Sequence, residues 1–125
     1  MIKLLFVDDE KDLCAYLKDF FGRIGFQVFI ATNGQEALAV VKKEKPKVIF
    51  LDIRMLGMSG LEVLKEIKNL DQQAKVNIVS VQDDEQTKEE AKKLGADEFI
   101  RKPFVSDYLR EVVRRQVAEL LPEER

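Results

Sequence analysis

The sequence contains no histidine, no tryptophan and a single cysteine, Cys14, among its 125 residues. The absence of histidine excludes His-ligated zinc sites, Ser-His-Asp triads and imidazole acid–base catalysis. One cysteine cannot form an intramolecular disulfide, and we interpret Cys14 as a small side chain within a helix. Any chemistry must therefore use carboxylates, hydroxyls, lysine or arginine.

An excess of positive charge and a long apolar run are also missing. The 21 Lys and Arg residues are balanced by 23 Asp and Glu, so the net charge is −2, which argues against nucleic-acid binding through bulk positive charge. The apolar runs are far shorter than the ~20 residues of a membrane span, and the first residues become acidic too early for a signal peptide. The length suits one domain, and we expect a soluble, cytoplasmic protein.

Short apolar runs alternate regularly with amphipathic stretches. Five runs rich in β-branched and aromatic residues predict buried strands, at residues 4–7, 28–31, 48–51, 76–79 and 99–100. The third run is apolar throughout and predicts a central strand, whereas Asn77 indicates an outer position for the fourth. Each run is followed by a stretch whose apolar residues recur at helical spacing. We therefore predict an α/β fold with one doubly wound, five-stranded parallel sheet in the order 2-1-3-4-5.

Helix-start and packing signals support this division. Asn33 and Glu36 have capping-box spacing before the second helix, and Ser59 and Glu62 have it before the third. The fourth helix has the thinnest apolar stripe, which includes Ala91. We therefore expect it to be the least firmly docked helix.

Chemically distinctive side chains follow four of the predicted strands. Asp8 and Asp9 follow the first, Asp52 the third, Ser80 the fourth and Lys102 the fifth. Ligands of doubly wound sheets bind beyond these carboxyl ends. Each residue alone could be a helix cap, a loop residue or a solvated charge, but their coincidence at one edge of the sheet favours a shared site.

Three of these side chains would place three negative charges in one cleft. Unit charges ~4 Å apart repel by roughly 4 kcal/mol at an effective dielectric near 20, so Asp8, Asp9 and Asp52 need a cation or a proton. A divalent ion and Lys102 would balance them, and oxygen ligands favour Mg²⁺ or Mn²⁺ over zinc or copper. Such a site can hold a phosphoryl group, because metal and lysine neutralise its oxygens and a carboxylate can attack it.

These motifs resemble the receiver domain of two-component response regulators, such as the chemotaxis response regulators, from residue 3 to about 120. The matching segments are residues 6–10 (FVDDE), 33–38, 51–55 (LDIRM), 58–60 (MSG), 80, 94–99 and 102–104 (KPF). The resemblance implies a flavodoxin-like (βα)5 fold, a receiver domain at residues 1–121 and a tail or linker at 122–125. It also implies a regulatory phosphoprotein that is not an enzyme beyond self-catalysed phosphoryl transfer and autodephosphorylation.

The resemblance implies a role for each group at the strand ends. Asp52 would accept a phosphoryl group from a sensor histidine kinase, a phosphotransfer protein or a small phosphodonor. Asp9 would bind Mg²⁺ directly and Asp8 through water, and Asp52 and the backbone carbonyl of Arg54 would complete the protein ligands. Lys102 would contact the phosphoryl group.

The resemblance also implies a switch. Ser80 would turn toward the phosphoryl group, and Phe99 occupies the aromatic switch position. The surface of the fourth helix, fifth strand and fifth helix would then control an output domain or protein, or form a homodimer. Direct contact with nucleic acid or membrane is not expected. Two departures from the family pattern are Leu56, where proline is usual, and Val81, where a small residue is usual.

Three alternative functions share parts of this pattern. A haloacid-dehalogenase-like Mg²⁺-dependent phosphatase needs a second acid two residues after its nucleophile, where this chain has Arg54. A flavodoxin-like electron carrier needs a Gly/Ser/Thr-rich phosphate loop after the first strand, where this chain has residues 8–10, DDE. A phosphate-independent pseudo-receiver would act as a binding module, although this chain keeps the acidic groups and Lys102.

Overall fold

The computed structural model of the protein describes residues 1–55, 57–81 and 84–120. Within them, five strands alternate with five helices. The strands are β1 (Lys3–Val7), β2 (Gln27–Ala31), β3 (Val48–Asp52), β4 (Lys75–Ser80) and β5 (Glu98–Arg101). The helices are α1 (Lys11–Arg23), α2 (Gly34–Glu44), α3 (Gly60–Leu70), α4 (Glu85–Lys93) and α5 (Ser106–Leu120). Leu56 and the expected tail at 122–125 lie outside the described residues.

The five strands form one parallel sheet in the order β2-β1-β3-β4-β5, which confirms the predicted topology. All five residues of β3 are buried, as expected for the central strand. Val7 pairs with Leu51 across β1 and β3, and Ser80 pairs with Arg101 across β4 and β5. The carboxyl ends of these four strands therefore lie along one edge of the sheet.

Helices cover both faces of the sheet over two apolar clusters. The cluster on one face includes Ala37 of α2, Leu64 of α3 and Ala91 of α4. The cluster on the other face includes Phe21 of α1 and Leu109 of α5. Among the nine residues of α4, only Ala91 is buried, so this helix has the smallest apolar anchorage, as its sequence predicts.

The predicted caps of two helices are formed. The Asn33 side chain accepts a hydrogen bond from the Glu36 N–H at 2.9 Å, and Ser59 Oγ accepts one from the Glu62 N–H at 3.3 Å. Both helices thus begin where the capping boxes indicate. In the described part of the chain, no helix has the length and apolar character needed to cross a membrane.

The prediction that the fourth apolar run forms an outer strand is wrong. β4 lies between β3 and β5, and Asn77 is fully buried. Its side chain exchanges two hydrogen bonds with Gln116 of α5, at 2.9 and 2.7 Å, and donates a third to the Ile49 carbonyl at 3.4 Å. These partners satisfy the amide in the core, so a polar residue here does not mark the outside of the sheet.

Candidate functional site

The three aspartates expected at the strand ends form one acidic cluster. Asp8, Asp9 and Asp52 each offer a carboxylate oxygen, and these oxygens lie within 4.8 Å of one another. Asp52 is the last residue of β3, and Asp8 follows the last residue of the neighbouring β1. Asp8 and Asp52 are buried, whereas Asp9 is exposed. The pairing of β1 with β3 thus brings together carboxylates that are 44 residues apart in the sequence.

Local backbone turns orient the two buried carboxylates in the same way. Asp8 Oδ1 accepts a hydrogen bond from the Glu10 N–H at 2.9 Å, and Asp52 Oδ1 accepts one from the Arg54 N–H at 3.1 Å. Aspartate is suited to this contact with the backbone two residues ahead. Each carboxylate therefore uses Oδ1 to fix its own loop and presents Oδ2 to the cleft.

Lys102 is the cation of this site. Its Nζ lies 2.7 Å from Asp8 Oδ2, 3.0 Å from Glu10 Oε1 and 3.5 Å from Asp52 Oδ2. Its backbone N–H donates to the Ser80 carbonyl at 2.8 Å, and the following peptide bond to Pro103 is cis. Burial alone lowers the pKa of Lys102, but its hydrogen bonds to Asp8 and Glu10, together with the charges of Asp52 and Asp8, outweigh burial and raise it. The ammonium is therefore charged at neutral pH.

The surroundings of the buried Asp52 carboxyl group disfavour its charged form. Burial raises its pKa above the ordinary value, the charge of Asp8 adds to this effect, and the hydrogen bond from the Arg54 N–H opposes it. Carboxylate oxygens of Asp8, Glu10 and Asp52 lie within 3.5 Å of this one ammonium, and Asp9 adds a further negative charge to the cluster. The excess of negative charge and the set of oxygen donors fit a hard divalent cation at Asp8, Asp9 and Asp52.

The two expected switch residues lie on neighbouring strands. Ser80 ends β4 and is fully buried. Phe99 of β5 is half-buried and packs against the apolar cluster beneath α2, α3 and α4. The ammonium of Lys88 in α4 lies 5.9 Å from the centre of the Phe99 ring. The structure therefore places Phe99 between the sheet and α4.

The sequence prediction missed one residue of the site, Glu10. The sequence shows Glu10 as a third acid after the first strand, but its spacing does not indicate an ion pair with Lys102. A helix-start position suggests a cap, yet the Glu10 side chain makes no capping hydrogen bond. The interpretation of Cys14 as a small side chain within a helix is confirmed, because it is buried in α1. Its thiol contacts the Asp8 carbonyl, and burial raises its pKa to about 11.

Comparisons with known proteins identify related sequences and similar folds. A family model for the response regulator receiver domain matches residues 4–114. Sporulation initiation phosphotransferase F of Bacillus subtilis is 37% identical over 113 residues, which cover 90% of this chain and 91% of that protein. The crystal structure of a CheY-like receiver domain protein from Methanospirillum hungatei has a TM-score of 0.95 at 26% identity and covers 98% of both chains.

A further solved structure of similar fold contains a phosphorylated residue. It is a response regulator protein from Burkholderia pseudomallei with a phosphorylated aspartic acid, a calcium ion and citrate. Its TM-score is 0.86 at 26% identity, and the match covers 99% of this chain and 73% of that chain.

Proposed function

Because the chain belongs to the response regulator receiver domain family, we propose that it is a phosphorylation-dependent switch whose phosphoacceptor is Asp52. One observation carries the proposal: Asp52 ends the central strand within 3.5 Å of Lys102 and beside Asp8 and Asp9. The Burkholderia relative, with its phosphorylated aspartic acid, supports it by similarity.

The acidic cluster would hold the metal of this reaction. Asp8, Asp9 and Asp52, with the backbone carbonyl of Arg54, are the proposed ligands of Mg²⁺ or Mn²⁺. When bound, the ion supplies positive charge to the phosphoryl oxygens. The calcium ion in the Burkholderia structure supports a divalent site by similarity.

In the proposed transfer, one bond forms and one bond breaks. A carboxylate oxygen of Asp52 attacks phosphorus, an O–P bond forms, and the bond from phosphorus to the donor nitrogen or oxygen breaks. The leaving group, the imidazole of a phosphohistidine or a carboxylate from an acyl phosphate, keeps the electron pair. Lys102 neutralises phosphoryl oxygens, and later attack by water releases inorganic phosphate and restores the carboxylate.

The proposal extends to donor and output partners. The donor would be a sensor histidine kinase or a phosphotransfer protein. The output, a domain or a separate protein, would be controlled through the surface of α4, β5 and α5, which could also form a homodimer. Asp97, directly before β5, already pairs within the chain with Lys68 and Lys75, and Glu98 of β5 pairs with Arg115 of α5, so a homodimer would rely on the other charges of this surface.

Intact-mass spectrometry with acetyl phosphate and Mg²⁺ tests the proposed phosphoacceptor. The wild type should gain the mass of one phosphoryl group, and Asp52→Asn should gain none, because it lacks the nucleophilic carboxylate. Asp107→Asn, which changes an exposed aspartate of α5, should be modified like the wild type. An undiminished adduct on Asp52→Asn would falsify the assignment.

A further inference from the structure

The ammonium of Lys102 lies closer to Glu10 than to Asp52. Lys102 Nζ lies 3.0 Å from Glu10 Oε1 and donates a hydrogen bond to it, whereas Asp52 Oδ2 is 3.5 Å away. The Lys102 side chain is only 11% exposed, but that of Glu10 is 63% exposed. Glu10 therefore holds the ammonium from the solvent side of the cleft.

The position of Glu10 in the chain makes this contact unexpected. Glu10 is the N-cap residue of α1, yet its side chain makes no capping hydrogen bond. Aspartate, asparagine and serine are preferred at such positions because their short side chains reach the first free N–H groups of the helix. The longer Glu10 side chain reaches Lys102 instead. We therefore expect the contact to depend on the length of this side chain.

We propose that Glu10 is a positioning residue that keeps Lys102 beside Asp8 and so limits the rate at which Asp52 takes up a phosphoryl group. This inference rests on the proposed function of Asp52. To contact a phosphoryl group on Asp52, the ammonium must move toward Oδ2 and give up its hydrogen bond to Glu10. The charge of Glu10 adds repulsion toward an anionic donor at the same entrance.

Two substitutions separate the contact from the charge. Glu10→Gln keeps the shape of the side chain and removes its charge. Glu10→Asp keeps the charge, but its shorter carboxylate is drawn to the helix N–H groups and no longer reaches Lys102. Asp12→Asn removes a charge from the first turn of α1 and serves as the control. Because Glu10 is exposed and makes no capping bond, we expect all three variants to fold.

The measurement is the initial rate of phosphorylation of each protein by acetyl phosphate with saturating Mg²⁺, followed by intact mass. Loss of one partly exposed ion pair predicts an increase of about fivefold for both Glu10→Gln and Glu10→Asp. Asp12→Asn should react at the wild-type rate. A faster rate in Glu10→Gln but not in Glu10→Asp would mean that only the charge of Glu10 matters, and it would overturn the positioning role. Unchanged rates in both variants would overturn it as well.

The same experiment distinguishes the two proposals. If the wild type is phosphorylated at Asp52 and the Glu10 variants react at its rate, the proposed function stands and the role of Glu10 is wrong. If the wild type gains no phosphoryl group, the proposed function fails, and the inference on Glu10 fails with it.

Discussion

Gly60 lies directly against the backbone of Asp52. A Cβ atom at Gly60 would be 2.4 Å from the Asp52 carbonyl oxygen and 2.4 Å from Ile53 Cα, closer than such atoms approach. The Gly60 N–H also donates to the Ile53 carbonyl at 2.9 Å. The first turn of α3 is thus fixed on the strand end that carries the proposed phosphoacceptor, and a side chain at Gly60 would displace one of them.

We predict that Gly60→Ala destabilises the protein and slows phosphorylation of Asp52. Inserting a methyl group against rigid backbone should lower the free energy of unfolding by about 1–3 kcal/mol. Gly22→Ala is the matched control, because a Cβ there meets nothing within 4 Å, and alanine inside a helix should stabilise by about 0.5–1 kcal/mol. Urea unfolding of Gly60→Ala and Gly22→Ala measures the change in the free energy of unfolding of each variant. Equal destabilisation of the two variants would contradict the specific contact at Gly60.

Mg²⁺ should stabilise the folded protein at neutral pH. A ligand that binds only the native state adds about 2.7 kcal/mol at a hundredfold excess over its Kd. Asp9→Ala should raise the melting temperature of the metal-free protein, because it removes a like charge from the cluster, and should weaken the response to Mg²⁺. Asp12→Ala is the control and should keep the full response. If Asp9→Ala responds like the wild type, Asp9 is not a ligand.

The raised pKa of Asp52 predicts a pH-dependent stability of the metal-free protein. Its pKa in the folded state lies above the ordinary value of 3.8, so the folded state binds the proton more tightly than the unfolded chain. This contribution is present below pH 3.8 and is lost as the pH rises through the folded pKa. Asp52→Asn should therefore be more stable than the wild type at neutral pH, by an amount that shrinks toward pH 3.8.

Urea unfolding of both proteins across this pH range provides the measurement. Asp107→Asn, which changes an exposed aspartate of α5, is the control and should not be more stable than the wild type at neutral pH. A stability difference between Asp52→Asn and the wild type that does not vary with pH would be inconsistent with the raised pKa.

The buried side-chain amides of Asn77 and Gln116 should stabilise the folded protein only when both are present. Gln116→Leu removes both hydrogen bonds that the two side chains exchange, and the cost of leaving Asn77 unsatisfied is about 1–3 kcal/mol. Replacing both residues by leucine should recover part of this loss. Gln86→Leu, at an exposed position of α4, should change the unfolding free energy little. A double variant less stable than Gln116→Leu would contradict this account.

The sequence predicts most of the site because parallel strands align their carboxyl ends. Asp8, Asp52 and Lys102 each follow or end a strand, so the topology alone brings them together. The direction of a side chain after a strand is not fixed in this way, which is why the contact of Glu10 was missed. Asn77 was misjudged because its partner is 39 residues away on α5 and depends on how that helix packs.

The switch proposed for Ser80 and Phe99 would connect the site to α4 through two strand ends. The Ser80 carbonyl accepts a hydrogen bond from the backbone N–H of Lys102, the residue after β5, so the proposed movement of Ser80 toward a phosphoryl group would be transmitted to the end of β5. Phe99 lies on β5 beneath Lys88 of α4, and α4 is anchored by the single buried residue Ala91. A rotamer change of Phe99 would therefore move the least firmly held helix.

We predict that phosphorylation is detected on the surface of α4, β5 and α5 and that Ser80 couples it there. The phosphoryl group adds about −1.5 to −2 charges and strong acceptor oxygens, which draw the Ser80 hydroxyl inward and free space for the Phe99 ring. Amide NMR with beryllofluoride, a phosphoryl mimic, should show shifts around Asp52 and across residues 84–113 in the wild type. In Ser80→Ala the shifts around Asp52 should persist while the distant ones weaken, because a shift of two populations needs a differential contact. Wild-type shifts confined to the surroundings of Asp52 would refute this coupling, since the phosphoryl mimic would then be bound without reaching α4.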